Sequence, residues 1–239
     1  MIIWILVLPS SALQDYHGPF ASSLEKMRSI TTTENEYNFL PLNLITKYKG
    51  HIAVHLTHTL PAAIWAAIIP FQIHPGIRRS NRYLHRILGY IFLVVCISIA
   101  IGVLIILRRG LLFENFMNNR EGTNSSKKQT PALLLMITFW YLWTVKEAIK
   151  EAKRKNFDRH QKWIIRHIAS GLWVAIQRLL IVIVMPVLNS NQFFIVNAQL
   201  VQRHLFGKAA MIGMTITVLV SEFAIIKIDE LKRIQRKHT

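Results

Sequence analysis

A chain of 239 residues that is 52% hydrophobic and only 17% charged, with positive mean hydropathy, lacks the makeup of a soluble domain, where about 25% of residues are charged. Its formal charge of +17 would suit nucleic acid, but the basic residues sit in short loops between apolar runs and no nucleic-acid motif accompanies them. Charge at a membrane surface is the better explanation. The single cysteine, Cys96, excludes an intrachain disulfide and any cysteine-based zinc or iron–sulfur site.

In chain order, residues 1–8 are apolar but too short to span a bilayer, and they lack the basic start of a signal peptide. They read as the tail of a first helix or as an interfacial anchor. Residues 10–48 are rich in Ser, Thr, Asn and Glu without a clear period, which reads as loop. Residues 1–49 are thus expected to form a polar, exoplasmic segment with a short apolar start.

Five spans follow. The first, 50–73, carries His51, His55 and His58 at i, i+4 and i+7, on one helical face. It also holds Pro61 and Pro70, which free carbonyls that neighbours must satisfy. The second, 86–107, is the cleanest apolar run. The third, 131–150, opens on Pro131 and carries Phe139, Trp140, Tyr141 and Trp143, an aromatic group that fits an interfacial belt or a pocket wall. The fourth covers 164–188 and the fifth 208–226. No repeat of 20–50 residues divides the chain. The expected fold class is all-α: a polytopic transmembrane helix bundle over 50–226, then a basic cytoplasmic tail, 227–239.

Loop charge sets the orientation. Residues 74–86, 146–166 and 227–239 together hold seventeen lysines and arginines, against eleven in the segments on the opposite side. Short basic loops stay in the cytoplasm, which puts the C-terminus there and the 108–130 loop outside. Asn124-Ser125-Ser126, a weak match to a glycosylation acceptor, falls in that outer loop.

The histidines then sort into two layers. His51, His55, His58 and His204 lie near the outer face; His74, His85, His160 and His167 lie near the cytoplasm. On the fourth span His160, His167, Gly171, Val174 and Arg178 share a stripe, with His160 and Arg178 about 27 Å apart along the axis. Arg178 sits deep in an apolar run and needs a counter-charge or several acceptors. A cofactor carboxylate, Glu222 and the carbonyls freed near Pro61 are the candidates, beside a structural arginine that binds helix-end carbonyls. Three readings of the histidines stay open. Two imidazoles facing each other across an apolar slot would ligate haem, His85 with His160 or His167 at the cytoplasmic layer, with Gly89 and Gly171 leaving room for the macrocycle, or one of His51, His55 or His58 with His204 at the outer layer. An imidazole metal site is weaker, because no partnering carboxylate pattern accompanies it. Interfacial histidines that hydrogen-bond loops or headgroups are the plain alternative. Phosphate loops, nucleophile elbows and paired catalytic carboxylates are absent, so no enzyme class is assigned.

Three stretches carry a resemblance. They are His58 with Pro70-Phe71-Gln72 ending the same helix, Leu84-His85-Arg86-Ile87-Leu88-Gly89-Tyr90, and His160-Gln161-Lys162-Trp163-Ile164-Ile165-Arg166 followed by Arg178. In order and spacing they resemble an uncharacterised family of predicted membrane proteins, domain of unknown function 2306. Ile164 and Tyr90 depart from the family pattern, where methionine and arginine are usual. The resemblance singles out His58, His85, His160, Arg166 and Arg178, and not His51, His55, His167 or His204. It implies no activity.

The functional expectation is a membrane protein that binds haem b for electron transfer. His85 and His160 would be axial ligands, Arg86 and Arg166 propionate partners, and His58 with Arg178 an inner polar site. No separate metal site is expected. The rival expectation is a non-redox membrane protein, a small transporter or lipid-interacting scaffold, in which His58 and Arg178 line a proton or anion path. The bilayer and acidic headgroups at the cytoplasmic face are the expected partners, and nucleic acid is not.

Overall fold

A computed structural model of the chain describes residues 48, 50–112, 129–189 and 198–237. The expectations for the apolar start, for nearly all of the N-terminal segment and for Asn124-Ser125-Ser126 fall outside the described residues, as does the side chain of His204. The described residues are helical and contain no strand. In chain order they form α1 (Ile52–Ile73), α2 (Pro75–Ser80), α3 (Arg82–Arg108), α4 (Gln129–Lys153), α5 (Phe157–Asn189) and α6 (Ala198–Lys237). Five of these, all but α2, are long and apolar enough to cross a membrane. The fold class is therefore all-α with five candidate spans.

Each long helix after α1, which matches its expected span, outruns the stretch expected for it, because hydropathy marks only the apolar stretch whereas the backbone ladder runs on to a cap. Asn81 supplies such a cap for α3: its Oδ1 accepts the Leu84 N–H at 2.9 Å. At the other end of α3, Leu111 N–H bonds to the Ile106 carbonyl and Gly110 N–H to the Leu107 carbonyl. Gly110 has φ +65° there, the left-handed residue that this type of helix end requires. The expected tail at 227–239 is continuous helix as far as Lys237.

The chain divides into two compact units. The first contains α1, α2 and α3. Here α1 and α3 run antiparallel, with contacts that pair early residues of one with late residues of the other. Ser98 meets Thr57, Phe92 stacks on Trp65 with ring centroids 6.0 Å apart, and Gln72 reaches the His85 carbonyl. The closest approach is at Gly102. A Cβ there would fall 2.5 Å from the His58 Cβ and 2.9 Å from its backbone nitrogen. Only a residue without a side chain lets the two backbones meet, the usual role of small residues between membrane helices.

Opposite Gly102, α1 is not a regular α-helix. His55–Thr59 forms a π-turn, in which Leu60 N–H reaches back five residues to the His55 carbonyl. Pro61 has no N–H to give to the Thr57 carbonyl four residues earlier. The Ser98 hydroxyl from α3 donates to that carbonyl instead, at 3.0 Å. One proline thus loosens the ladder and a neighbouring hydroxyl closes it, as a membrane interior requires.

The second unit holds most of α4, α5 from its start to Ile181, and α6 from His204 onward. Again the neighbours are antiparallel. Along α5 and α6, Asp158 pairs with Lys232, Lys162 with Asp229, Arg166 with Glu222, and Gln177 with the Phe206 carbonyl. Gly213 is the tight point: a Cβ would lie 2.9 Å from the Trp173 carbonyl oxygen. Between α4 and α5, His160 meets the Ala148 carbonyl and His167 meets Tyr141.

The surfaces of both units are apolar in helical stripes. Ile91, Val94, Ile97, Ile101 and Leu104 are exposed along α3, and Met211, Val218, Leu219, Phe223 and Ile226 along α6. Contiguous exposed apolar stripes of this length are what helices that could cross a bilayer present to an apolar surrounding.

Candidate functional site

The most deeply buried polar side chains of the described residues lie inside the second unit. His167 and Thr144 are completely buried, Gln177 nearly so, and Glu147, Glu151, Thr217 and Ser221 are buried with them. On α4 the inward positions are Tyr141, Thr144, Ala148 and Glu151, spaced three, four and three apart, so they fall on one face. An apolar residue at each of these positions would be the ordinary choice for a membrane helix. Here Thr144, Glu147 and Glu151 are buried beside Tyr141, Val145 and Ala148, so the face is part polar.

His167 is held by two groups from α4. Its Nδ1 lies 3.0 Å from Thr144 Oγ1 and 3.1 Å from the Tyr141 carbonyl, and its ring packs 4.4 Å from the Tyr141 ring. The Thr144 hydroxyl donates its own proton to the Tyr141 carbonyl at 2.8 Å. Nδ1 therefore carries the imidazole proton, and the lone pair is on Nε2. Leaving such a group unbonded would cost about 1–3 kcal/mol, which accounts for the convergence of two acceptors on one nitrogen.

Toward the C-terminal end of α4 the polar face opens into a cleft of about 410 Å³. Glu147, Lys150, Glu151, Arg154, Arg159, Lys162, Trp163 and Arg166 line it. The two carboxylates are buried and each is bridged by a more exposed cation one turn on, Lys150 to Glu147 at 3.0 Å and Arg154 to Glu151 at 3.5 Å. Lys162 and Arg166 are tied to α6 by Asp229 at 2.7 Å and Glu222 at 2.6 Å. The Arg166–Glu222 pair is a two-pronged fork, with a second bond of 2.8 Å.

The residues expected to form the site are distributed as follows. His85 is half-buried at the start of α3 in the first unit, and its backbone carbonyl accepts from Gln72 Nε2 at 3.1 Å. Arg86 beside it is exposed. His58 sits at the π-turn, its Nδ1–H directed at the Ile99 carbonyl at 3.4 Å and its ring edge-on to Tyr48. His160 belongs to the second unit and donates from Nδ1 to the Ala148 carbonyl at 2.8 Å. Arg166 is engaged by Glu222, and that removes Glu222 as the counter-charge considered for Arg178. Arg178 instead lies over the Phe206 ring, 5.1 Å from its centroid. The stripe from His160 to Arg178 does not face one environment: His167 is fully buried and Val174 is exposed. A shared azimuth places residues on one line of the helix, but the neighbours beside that line change along it.

Three features escaped the sequence. His167, weighed as an alternative to His160 and then set aside because it lies outside the motif, is the most buried titratable side chain among the described residues; its signal was its position seven residues after His160. Thr144 and Gln177 were legible only as polar interruptions of apolar runs. The pair Ser98 and Gly102, small residues four apart, marks the α1 contact. The aromatic group also divides, for Tyr141 is buried against His167 while Phe139, Trp140 and Trp143 are exposed. Among the described residues no three His, Cys, Asp or Glu side chains are grouped to hold a metal ion.

Five helices able to span a bilayer, apolar outer faces and a polar interior define a multi-pass integral membrane protein. Compared with family models, residues 55–225 match the family described as "Predicted membrane protein (DUF2306)". The match covers most of the chain, and the protein belongs to that family. Searches of curated proteins and of solved structures returned no match.

Proposed function

We propose that the protein is a non-redox membrane carrier in which the polar interior of the second unit passes protons. The observation that carries this reading is the buried polar face running from Glu151 and Glu147 to Thr144 and on to His167, with Gln177 further along α5. Ionisable groups inside membrane spans are costly and characteristically line a path. The carboxylates at the cleft are the entry. The imidazole takes up a proton at Nε2 to become imidazolium and gives it back from Nε2 to the next acceptor, while its Nδ1–H stays bonded to the Tyr141 carbonyl and Thr144 and fixes the ring. Arg178, about 16 Å further along α5 than His167, would attract an accompanying anion.

The test is proton uptake by proteoliposomes loaded with a pH-sensitive dye under an imposed potential. Wild-type protein should acidify the lumen faster than empty liposomes, and His167→Ala should abolish the excess. Flux equal to that of empty liposomes, or flux untouched by His167→Ala, would sink the reading.

One observation favours a second reading, haem b ligation by His85 and His160 for electron transfer. The Nδ1–H of His160 is committed to the Ala148 carbonyl, which fixes the tautomer and leaves the lone pair on Nε2, as ligating histidines require. Gly89, one turn inward from His85, faces open space. Arg86 would meet a propionate; Arg166 already has a carboxylate partner and suits that role less well. A dithionite-reduced absorption spectrum of detergent-purified protein decides it. A sharp b-type spectrum lost in both His85→Ala and His160→Ala would establish haem, and folded protein without that spectrum, from cells supplied with haem precursor, would end the redox reading.

A further inference from the structure

The two units treat their positive charge differently. In the second, seven of the lysines and arginines at the charged end have carboxylate partners: Lys150, Arg154, Lys162, Arg166, Lys227 and Lys232 are in ion pairs, and Arg236 lies 3.9 Å from Asp158. In the first unit no such pairing can occur among the described residues, because none of them is Asp or Glu. The chain has no carboxylate at any position between Glu36 and Glu114. Yet Arg78, Arg79, Arg82 and Arg86 crowd into the short connection between α1 and α3, and all four are exposed.

That connection is a built frame. Gln72 near the end of α1 donates to the His85 carbonyl on α3 at 3.1 Å. His74 Nδ1 accepts the Ile77 N–H at 3.3 Å to cap α2, which carries Arg78 and Arg79 in its last turn. Asn81 caps α3, and Arg82 and Arg86 follow four residues apart on one face of its opening turns. Cations at a helix N-terminus oppose the helix dipole, so α3 itself gains nothing from these arginines. Phe71, Ile73, Tyr83 and Leu84 are exposed alongside them. Guanidinium forks beside apolar side chains, at the mouth of two spans, match a phosphate over acyl chains.

We propose that the 74–86 connection is a binding site for acidic phospholipid headgroups, with Arg78, Arg79, Arg82 and Arg86 as phosphate ligands and Phe71, Ile73, Tyr83 and Leu84 set among the upper acyl carbons. The headgroup supplies the counter-charge that the described residues of the first unit lack. The basic connection in the second unit, where Lys150, Arg154 and Lys162 already have carboxylate partners, does not share this role.

Lipid binding to the full chain in detergent, read by native mass spectrometry with phosphatidylglycerol against phosphatidylcholine, tests this. Wild-type protein should prefer phosphatidylglycerol by at least roughly tenfold. Changing Arg78, Arg79, Arg82 and Arg86 to Gln together should bring the preference close to one. The control that changes Lys150, Arg154, Lys232 and Arg236 to Gln removes the same charge and should keep it. A connection variant that keeps the wild-type preference, or a control that loses as much, would overturn the proposal. So would displacement of phosphatidylglycerol by millimolar inorganic phosphate, which would indicate a site for a small free anion. If the Gln variant does not fold, the Arg→Lys version decides: it keeps the charge but not the fork, and should lose at least about threefold of the preference.

Discussion

Gly102 and Gly213 are the residues on which the two helix contacts depend, and a third glycine provides the comparison. A methyl group at Gly102 meets the His58 backbone and one at Gly213 meets the Trp173 carbonyl, whereas a Cβ at Gly89 meets nothing within 4 Å. Gly102→Ala and Gly213→Ala should each lower stability in mixed micelles by about 1–3 kcal/mol through overpacking. Gly89→Ala should instead raise it by roughly 0.5–1 kcal/mol, because alanine is the better helix residue. Equal shifts for all three, measured by reversible unfolding, would mean that the close approaches do not set the packing. Sequence reading noticed Gly89 beside the histidine motif and passed over Gly102 and Gly213. A glycine needed for space and one merely tolerated look the same until the facing backbone is known.

At the scale of the element, the π-turn of α1 ties one proline to one hydroxyl. Ser98→Ala should cost about 0.6–1.7 kcal/mol, the range for a hydrogen bond between membrane helices. In a Pro61→Ala background the restored N–H can serve the Thr57 carbonyl, so the same Ser98→Ala change should then cost close to nothing. A double-mutant cycle giving additive effects would separate the two residues and refute the link. The need for a neighbour to serve a freed carbonyl was foreseeable from Pro61. The identity of that neighbour was not, because Ser98 lies 41 residues away and only the register of α1 against α3 joins them. The same holds for Arg166 and Glu222: a buried or half-buried cation called for a carboxylate, but which arginine received Glu222 was decided by the antiparallel register of α5 and α6.

For the whole molecule, the excess of basic residues in three segments argues that the C-terminus is cytoplasmic. With Cys96, which is fully buried, replaced by Ala, single cysteines introduced as Lys237→Cys and Ser126→Cys test this with a membrane-impermeant maleimide. In intact right-side-out cells Ser126→Cys should label at once and Lys237→Cys only after permeabilisation. The reverse pattern would invert the topology and move the arginine connection to the other leaflet. Both basic ends have a local account in the structure, one through internal ion pairs and one through exposed arginines in a unit whose described residues contain no acid.

The sequence by itself determined the class and the number of spans, since apolar runs long enough to cross a bilayer leave the backbone no alternative to helix. It also marked the family through His58, the His85-Arg86 pair and the stretch from His160 to Arg166, because these are local patterns of fixed spacing. What the tertiary structure decided was which polar groups face inward together. Helical periodicity puts His160 and Arg178 on one stripe, yet burial singled out His167, because depth and neighbours belong to the packing of three helices and to no one of them. Which cations of the second unit pair across helices, Lys162 with Asp229, Arg166 with Glu222 and Lys232 with Asp158, was likewise settled by contacts that join residues distant in the chain.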